Sequence, residues 1–293
     1  MTEHLDAVVI GVAIGSVYGL IAIGYTVVYA ATRVFNLAQG DLVMAGVLLS
    51  YFLLTVHAWA GIAAFAAVVG SVAVISLVEE RTVVRPALRR ADTIGWFITT
   101  FAFAGIIRSV AQNIYGNVEA RAIPSPLPSG AIHLGSVVIS PKLVLTFGAL
   151  LGTMLLIDLF YLHTWWGQAM RATAEDRETA SLRGIDPRRV GALAFLLGGL
   201  IAGVAGFVIA PIVFSDVNIG LEYALKGFLA IAIGGFGSIR GAVAGAWALG
   251  IGEQILDVHA SAAYEPLVGL AMLLAVLAVR PTGFFGAAAE REV

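Results

Sequence analysis

Residues 33–42, "RVFNLAQGDL", set polar groups between two apolar stretches. Asn36, Gln39 and Asp41 offer amides and a carboxylate that bind a polar solute or satisfy backbone freed from a helix, and Gly40 permits the break. The plainer role is capping, with Asn36 or Asp41 as N-cap of the helix that follows. A second stretch, "GGFGSIRGAVAG" at 234–245, is a glycine-rich bend. Gly234, Gly235 and Gly237 allow a tight reversal or close helix approach, and a hinge lining a pathway is the sharper role. It is no phosphate cradle, because no strand precedes it and no Gly-Lys-Ser/Thr follows. Covalent chemistry has little to stand on. The chain has no Cys, no G-x-x-x-x-G-K-[ST] and no His-Glu-x-x-His. His4, His57, His133, His163 and His259 are scattered without metal-ligand spacing. The residues predict hydrogen bonding to a small polar solute, with no catalytic group, metal, cofactor or nucleic-acid partner.

The third unusual stretch is "QAMRATAEDRETASLRGIDPRRVG", residues 168–191. Arg171, Glu175, Asp176, Arg177, Glu178, Arg183, Asp186, Arg188 and Arg189 crowd into it. Residues 168–184 have helix-favouring composition and no Pro, which predicts one helix. Gly184 suits its C-terminal stop; Asp186 and Pro187 suit the N-cap and first position of the next helix. Ala169, Ala172, Ala180 and Leu182 place small or apolar surface among the charges. One role is a solvated interfacial helix. The other is a docking surface for a soluble cytoplasmic protein, where small side chains permit close approach and charges fix register.

The elements that hold these stretches are membrane helices. The 293 residues are 59% hydrophobic and 12% charged, with mean hydropathy +0.93. Soluble domains average about 25% charged residues. A span needs about 20 mostly apolar residues, and the apolar runs are too long and continuous for a barrel of alternating strands. The fold class predicted is all-α, a polytopic membrane bundle of about 8–10 transmembrane segments, some short or broken. Apolar segments fall near 7–30, 41–56, 60–79, 93–113, 141–163, 187–212, 225–237, 241–258 and 262–279, forming one domain over residues 1–293. No basic residue precedes the first run, so it reads as a retained span and not a cleaved signal.

Basic residues set the orientation. Arg33, Arg81, Arg85, Arg89, Arg90, Arg171, Arg177, Arg183, Arg188, Arg189, Arg240, Arg280 and Arg291 fall on one side, taken as cytoplasmic. Arg121, Lys142 and Lys226 fall on the other. The N-terminus is then outside and the C-terminus inside. Residues 114–140 form an external loop stiffened by Pro124, Pro126 and Pro128, with "IHLGSVVIS" as a small hairpin. Small residues at four-residue spacing in "GVAIGSVYG" and "GLIAGVAG" predict close helix contacts. Arg108, Asp158 and Glu253 read as structural or interfacial charges near span ends.

"AMRATAEDRETASLRGID" followed by "RRVGALAFLLGGLIAGVAG" resembles the cytoplasmic loop of ATP-binding cassette importer permeases. Three further stretches are similar to the branched-chain amino acid permease family: "GSVYGLIAIGYTVVYAATRVFNLAQGDLVMAG", "AIGGFGSIRGAVAGAWALG" and "RPTGFFG". The four run in order from about residue 15 to 286. The resemblance implies a transport subunit, not an enzyme, in a bacterial-type plasma (inner) membrane. Its implied partners are a second homologous permease subunit, two cytoplasmic ATPase subunits and an external substrate-binding protein. Residues 168–186 become the coupling helix, with Glu175, Asp176, Arg177, Glu178 and Gly184 at the ATPase. Glu178 and Gly184 match the family's acidic and glycine positions. The solute implied is a branched-chain or related amino acid. The family usually carries Asn-Phe-Ala-His-Gly where this chain has Leu37 and Gln39, which implies differently tuned solute handling. An ion- or proton-coupled secondary transporter, with Asp41 as ion site, is the alternative.

Overall fold

Lipid offers the backbone no hydrogen-bond partners, so long apolar runs close their bonds within helices. The computed structural model describes residues 2–88, 95–116, 122–125, 130–134, 137–213, 215–259 and 264–285. α1 (Thr2–Thr32) is followed by an irregular stretch and α2 (Gln39–Tyr51), which a π-helical turn carries on to Val56. α3 (Gly61–Glu79) continues through a π turn (Glu80–Val84) into α4 (Arg85–Leu88). α5 (Gly95–Tyr115) leads to an antiparallel pair, β1 (Ile132–Leu134) and β2 (Val137–Ile139), with Ile132 opposite Ile139. Then come α6 (Pro141–His163), α7 (Trp165–Glu175), α8 (Arg177–Leu182), α9 (Pro187–Ile209), α10 (Ile219–Gly234), α11 (Ile239–His259) and α12 (Glu265–Val279). The expected hairpin is present, and Pro124 lies beside the buried Ile123. Pro126, Pro128 and Arg121 fall outside the described residues, as do Arg89, Arg90 and Arg291.

The helical membrane bundle is as expected; the number of spans is not. Among the described residues six helices are long and apolar enough to cross, or seven if α10 and α11, bent by 115°, count as one span. Length is the reason for α10 and α12, whereas α11, at 21 residues, is long enough but carries Arg240, Glu253 and Asp257. α10 and α12 have 16 and 15 residues, about 24 and 23 Å at the helical rise, against a hydrocarbon core of about 30 Å.

Small residues set the packing. A Cβ on Gly15 would lie 2.6 Å from the Ala246 carbonyl oxygen, and one on Gly203 would lie 2.7 Å from Val69 Cα. α1 therefore meets α11, and α9 meets α3, backbone against backbone. The basic side chains gather at one end. Arg85, Arg177 and Arg188 line one cavity there, Arg171 and Arg240 line another, and Ala31 borders both. At the opposite end the His4 and His259 rings stack at 5.2 Å, and Lys142 Nζ donates to the Pro211 carbonyl at 2.9 Å. Lys226 is the exception. It lies buried within α10, paired with Glu253 of α11, and not in an external loop. Glu253 is likewise interior, at 1% exposure, and not at a span end.

Candidate functional site

The chain leaves α1 at Arg33 in the left-handed region, φ 57°, where few residues other than glycine sit. It then re-enters the bundle without helical structure until Gln39. Non-helical backbone inside a membrane bundle must find its partners in the protein. Asn36 supplies one, its Oδ1 accepting from Ala38 N at 2.9 Å, and its Nδ2 ties the stretch to α3 by donating to Glu79 Oε2 at 3.0 Å. Gln39 Nε2 donates to the Gly198 carbonyl at 3.2 Å. Gly24 makes room for that amide, since a Cβ there would lie 2.1 Å from Gln39 Nε2. Gly40 packs so closely on α10 that a Cβ would lie 2.2 Å from the Gly220 oxygen. Ala38 occupies the N-cap position of α2 without a side-chain cap, so neither Asn36 nor Asp41 is its N-cap. Asn36 and Gln39 are wholly buried and fasten the break.

Asp41, in the first turn of α2, behaves differently. Arg108 of α5 grips it, Nη2 to Oδ1 at 3.0 Å and Nε to Oδ1 at 3.2 Å. Asp41 is 3% exposed and Arg108 29%. Arg108 thus serves an interior partner and does not reach for headgroups. Both residues line a groove of about 430 Å³ formed by α1, α2, α5 and α10. The rest of the groove is mainly aromatic and aliphatic. Phe35 stacks on Tyr25 at 4.4 Å and meets Phe228 edge-on at 5.3 Å. Phe236 closes on Phe35 at 6.4 Å.

Phe236 comes from the glycine corner. α10 ends at Gly234, Gly235 turns at φ 110° and Gly237 at φ 82°. A Cβ on Gly234 would lie 1.9 Å from the Gly241 oxygen, so α10 and α11 meet as tightly as backbones can. The C-terminal "RPTGFF" straps this corner: Phe284 N donates to the Ile233 carbonyl at 3.0 Å and Phe285 N to the Gly234 carbonyl at 2.8 Å. Of the residues expected along a pathway, Asp41 lines the groove directly. Gly234, Gly235 and Gly237 frame it through Phe236, and Asn36, Gln39 and Gly40 stand behind its wall.

At the basic end, the single helix expected over 168–184 is two. Asp176 breaks it in an extended conformation, φ −147°, ψ 109°. An aspartate competes for backbone N–H groups: its Oδ1 accepts from Glu178 N at 2.9 Å and Thr179 N at 3.2 Å, and the Thr179 hydroxyl donates to Oδ2. Those bonds, the Thr179 hydroxyl first, hold its carboxyl below the usual aspartate range. The expected stop and restart are in place, with Gly184 at φ 86° and Asp186 Oδ1 accepting from Arg188 N at 2.9 Å. Glu175, Asp176, Arg177, Glu178 and Gly184 are all exposed, and so is Leu182. Arg33 Nη2 donates to the Ala174 carbonyl at 2.8 Å, tying the end of α7 to the start of the break. Arg33, Glu79 and the pairing of Arg108 were not foreseen as parts of these sites. Glu79 lay hidden in "VEERTVVR", which reads as a basic loop but continues as helix.

Residues 7–277 match the family described as branched-chain amino acid transport system / permease component. The chain belongs to this family. The permease is 33% identical to the high-affinity branched-chain amino acid transport system permease protein BraD of Pseudomonas aeruginosa, over 97% of this chain and 96% of that one. It is 33% identical to the corresponding protein LivH of Escherichia coli, over 94% and 93%. A probable branched-chain amino acid transport permease protein of Methanocaldococcus jannaschii is 27% identical over 91% and 88%. Among solved structures, PsaBC from Streptococcus pneumoniae in complex with Fab aligns with 96% of this chain and 93% of that one, at 15% identity and a TM-score of 0.49. The permease is therefore the multi-pass membrane component of an ATP-driven importer, not an enzyme, and ATP hydrolysis belongs to a separate chain. Family membership favours this over an ion-coupled secondary transporter.

Proposed function

We propose that the permease carries branched-chain or closely related amino acids across a bacterial-type inner membrane. The groove containing Asp41 and Arg108 is one wall of the path, and a second homologous permease subunit supplies the facing wall. One observation carries this: a charged pair joins two helices long and apolar enough to cross a membrane, in a groove open on one side. A charge facing lipid at mid-bilayer costs about 2.5–3.5 kcal/mol on insertion scales. Water or protein, not acyl chains, therefore belongs opposite it. Two ATPase subunits act from the basic end, where Glu175, Asp176, Arg177, Glu178, Leu182 and Gly184 form the docking surface. An external binding protein delivers solute at the other end.

Force on α7 passes through Arg33 to the break, and the break is stitched to α3 by Asn36–Glu79 and to α9 by Gln39–Gly198. α2, which carries Asp41, moves with it. Gly234, Gly235 and Gly237 are the opposite hinge, carrying Phe236. Gln39 faces α1 and α9, so its departure from the family's His bears on the stitch and not on solute contact. The test is reconstitution in proteoliposomes with the neighbouring subunits. Leucine uptake should require ATP and the binding protein. Gradient-driven uptake by this chain alone, indifferent to ATP, would overturn the proposal.

A further inference from the structure

The groove's charged pair has a spare edge. Asp41 occupies Nε and Nη2 of Arg108, while Nη1 makes no hydrogen bond among the described residues. A guanidinium with an open edge is a fork for a carboxylate. The same groove is lined by Phe35, Trp96, Phe101, Leu225, Phe228 and Phe236. Such walls take an apolar side chain, and the volume, about 430 Å³, lies in the range of small-ligand sites. The pair is already neutral. A zwitterion adds no net charge, whereas a plain carboxylate would leave one uncompensated negative charge at membrane depth.

We infer that Arg108 receives the carboxylate of a zwitterionic amino acid with an apolar side chain in this groove, with Asp41 as the positioning residue that holds the guanidinium. This rests on the path proposed above. Gly220 of α10 makes room for the Asp41 carboxylate, since a Cβ there would lie 2.7 Å from its Oδ1. The wall lies along the same side of α5. Trp96 is about 18 Å nearer the basic end than Arg108 at the helical rise, so solute leaving Arg108 meets apolar surface on its way inward.

The test uses the whole importer in proteoliposomes with saturating loaded binding protein, reading leucine uptake and ATP hydrolysis separately. R108Q should lower uptake about tenfold or more, the equivalent of one charge-assisted hydrogen bond, while stimulated ATP hydrolysis stays near wild type. R108K, which keeps charge but loses the fork, should fall between. The R108Q/D41N double variant removes both charges and leaves no orphan. It should regain any thermal stability lost in R108Q yet remain poor in uptake. Restored uptake in the double variant would make the pair purely structural and overturn the inference, as would wild-type uptake in R108Q. If the wild-type assembly shows no ATP-dependent uptake, the path proposal fails instead, and the two failures are distinct.

Discussion

Two of the ion pairs among the described residues, each joining two helices, are built to opposite plans. Lys226 and Glu253 join α10 to α11 with 9% and 1% exposure. Tyr18 of α1 completes that site, its hydroxyl donating to Glu253 Oε2 at 2.8 Å and its ring lying 5.3 Å from Lys226 Nζ. Asp41 and Arg108 join α2 to α5, but Arg108 keeps 29% of its side chain exposed and an unused donor edge. The first pair is sealed on three helices and has nothing to offer a visitor. The second is anchored on one side and open on the other. Both carboxylates are buried; the pairs differ in the exposure of the cation and in the donor edge that Arg108 leaves uncommitted.

Breaking each pair should separate them most sharply. K226M strands Glu253 without its cation, a loss of about 3–5 kcal/mol for a buried pair. Expression and thermal stability should collapse together. K226M/E253M, apolar on both sides, should recover most of that stability, because the penalty belongs to the stranded charge. The open pair should respond in transport more than in stability. Equal loss of melting temperature in K226M and R108Q would erase the distinction.

The next effect concerns the wall behind the open pair. G40A places a methyl group 2.2 Å from the Gly220 oxygen and 2.6 Å from Ala224 Cβ. Overpacking of this kind costs about 1–3 kcal/mol. It also pushes α10 away from Asp41, so uptake should fall further than stability alone explains. G148A is the control, since nothing lies within 4 Å of a Cβ there, and it should behave as wild type.

Much of this was legible in the sequence, and what was not has physical causes. The polar island 33–42 announces a break because unpaired amides and glycine in an apolar context need a reason. Its partners are not announced, because Glu79 is distant in sequence and Gly198 contributes only a carbonyl. The helix stop at Gly184 and restart at Asp186 follow local rules and are found as read. The break at Asp176 follows the same rule, yet helix-favouring neighbours mask it: the capping residue outweighs summed propensity. Lys226 was misplaced because one charge in an apolar run resembles a loop until its partner on another helix is known. Span number differs because α10 and α12 are apolar but short, and α11, long enough, carries Arg240, Glu253 and Asp257.

A smaller effect tests the link from the proposed docking surface to the break. Arg33 joins them through one hydrogen bond to the Ala174 carbonyl, and a cation at a helix C-terminus is worth about 0.3–1 kcal/mol. R33G keeps φ 57° without strain and removes the bond together with the guanidinium's place over the Tyr29 ring. R33A removes the bond and adds strain. Stability should order as wild type, R33G, R33A. Solute moved per ATP should fall equally in both, because both lose the tie. Unchanged coupling in R33G would show that force reaches the break by another route.

The smallest effect lies at Asp176. Its carboxyl sits below the usual aspartate range because the Thr179 hydroxyl and the Thr179 and Glu178 amides bond the ionised form. A depressed value means that the ionised group favours the folded turn. That contribution is complete above the unfolded value and is lost as pH falls through the lower folded one. Coupling should therefore be level from about pH 5 to 8 as far as this group is concerned, and weaken only in acid. D176N keeps an oxygen acceptor and should hold the break between α7 and α8 while losing the acid limb. D176A has no acceptor, so Arg177–Leu182 has nothing to start it and the two helices should tend to fuse into the single rod that composition favours. ATPase retention on the purified permease should then drop in D176A at every pH and barely in D176N. Were the fused rod to hold the ATPase as well as the broken one, the kink would be incidental to docking, and the exposed charges with Leu182 would suffice.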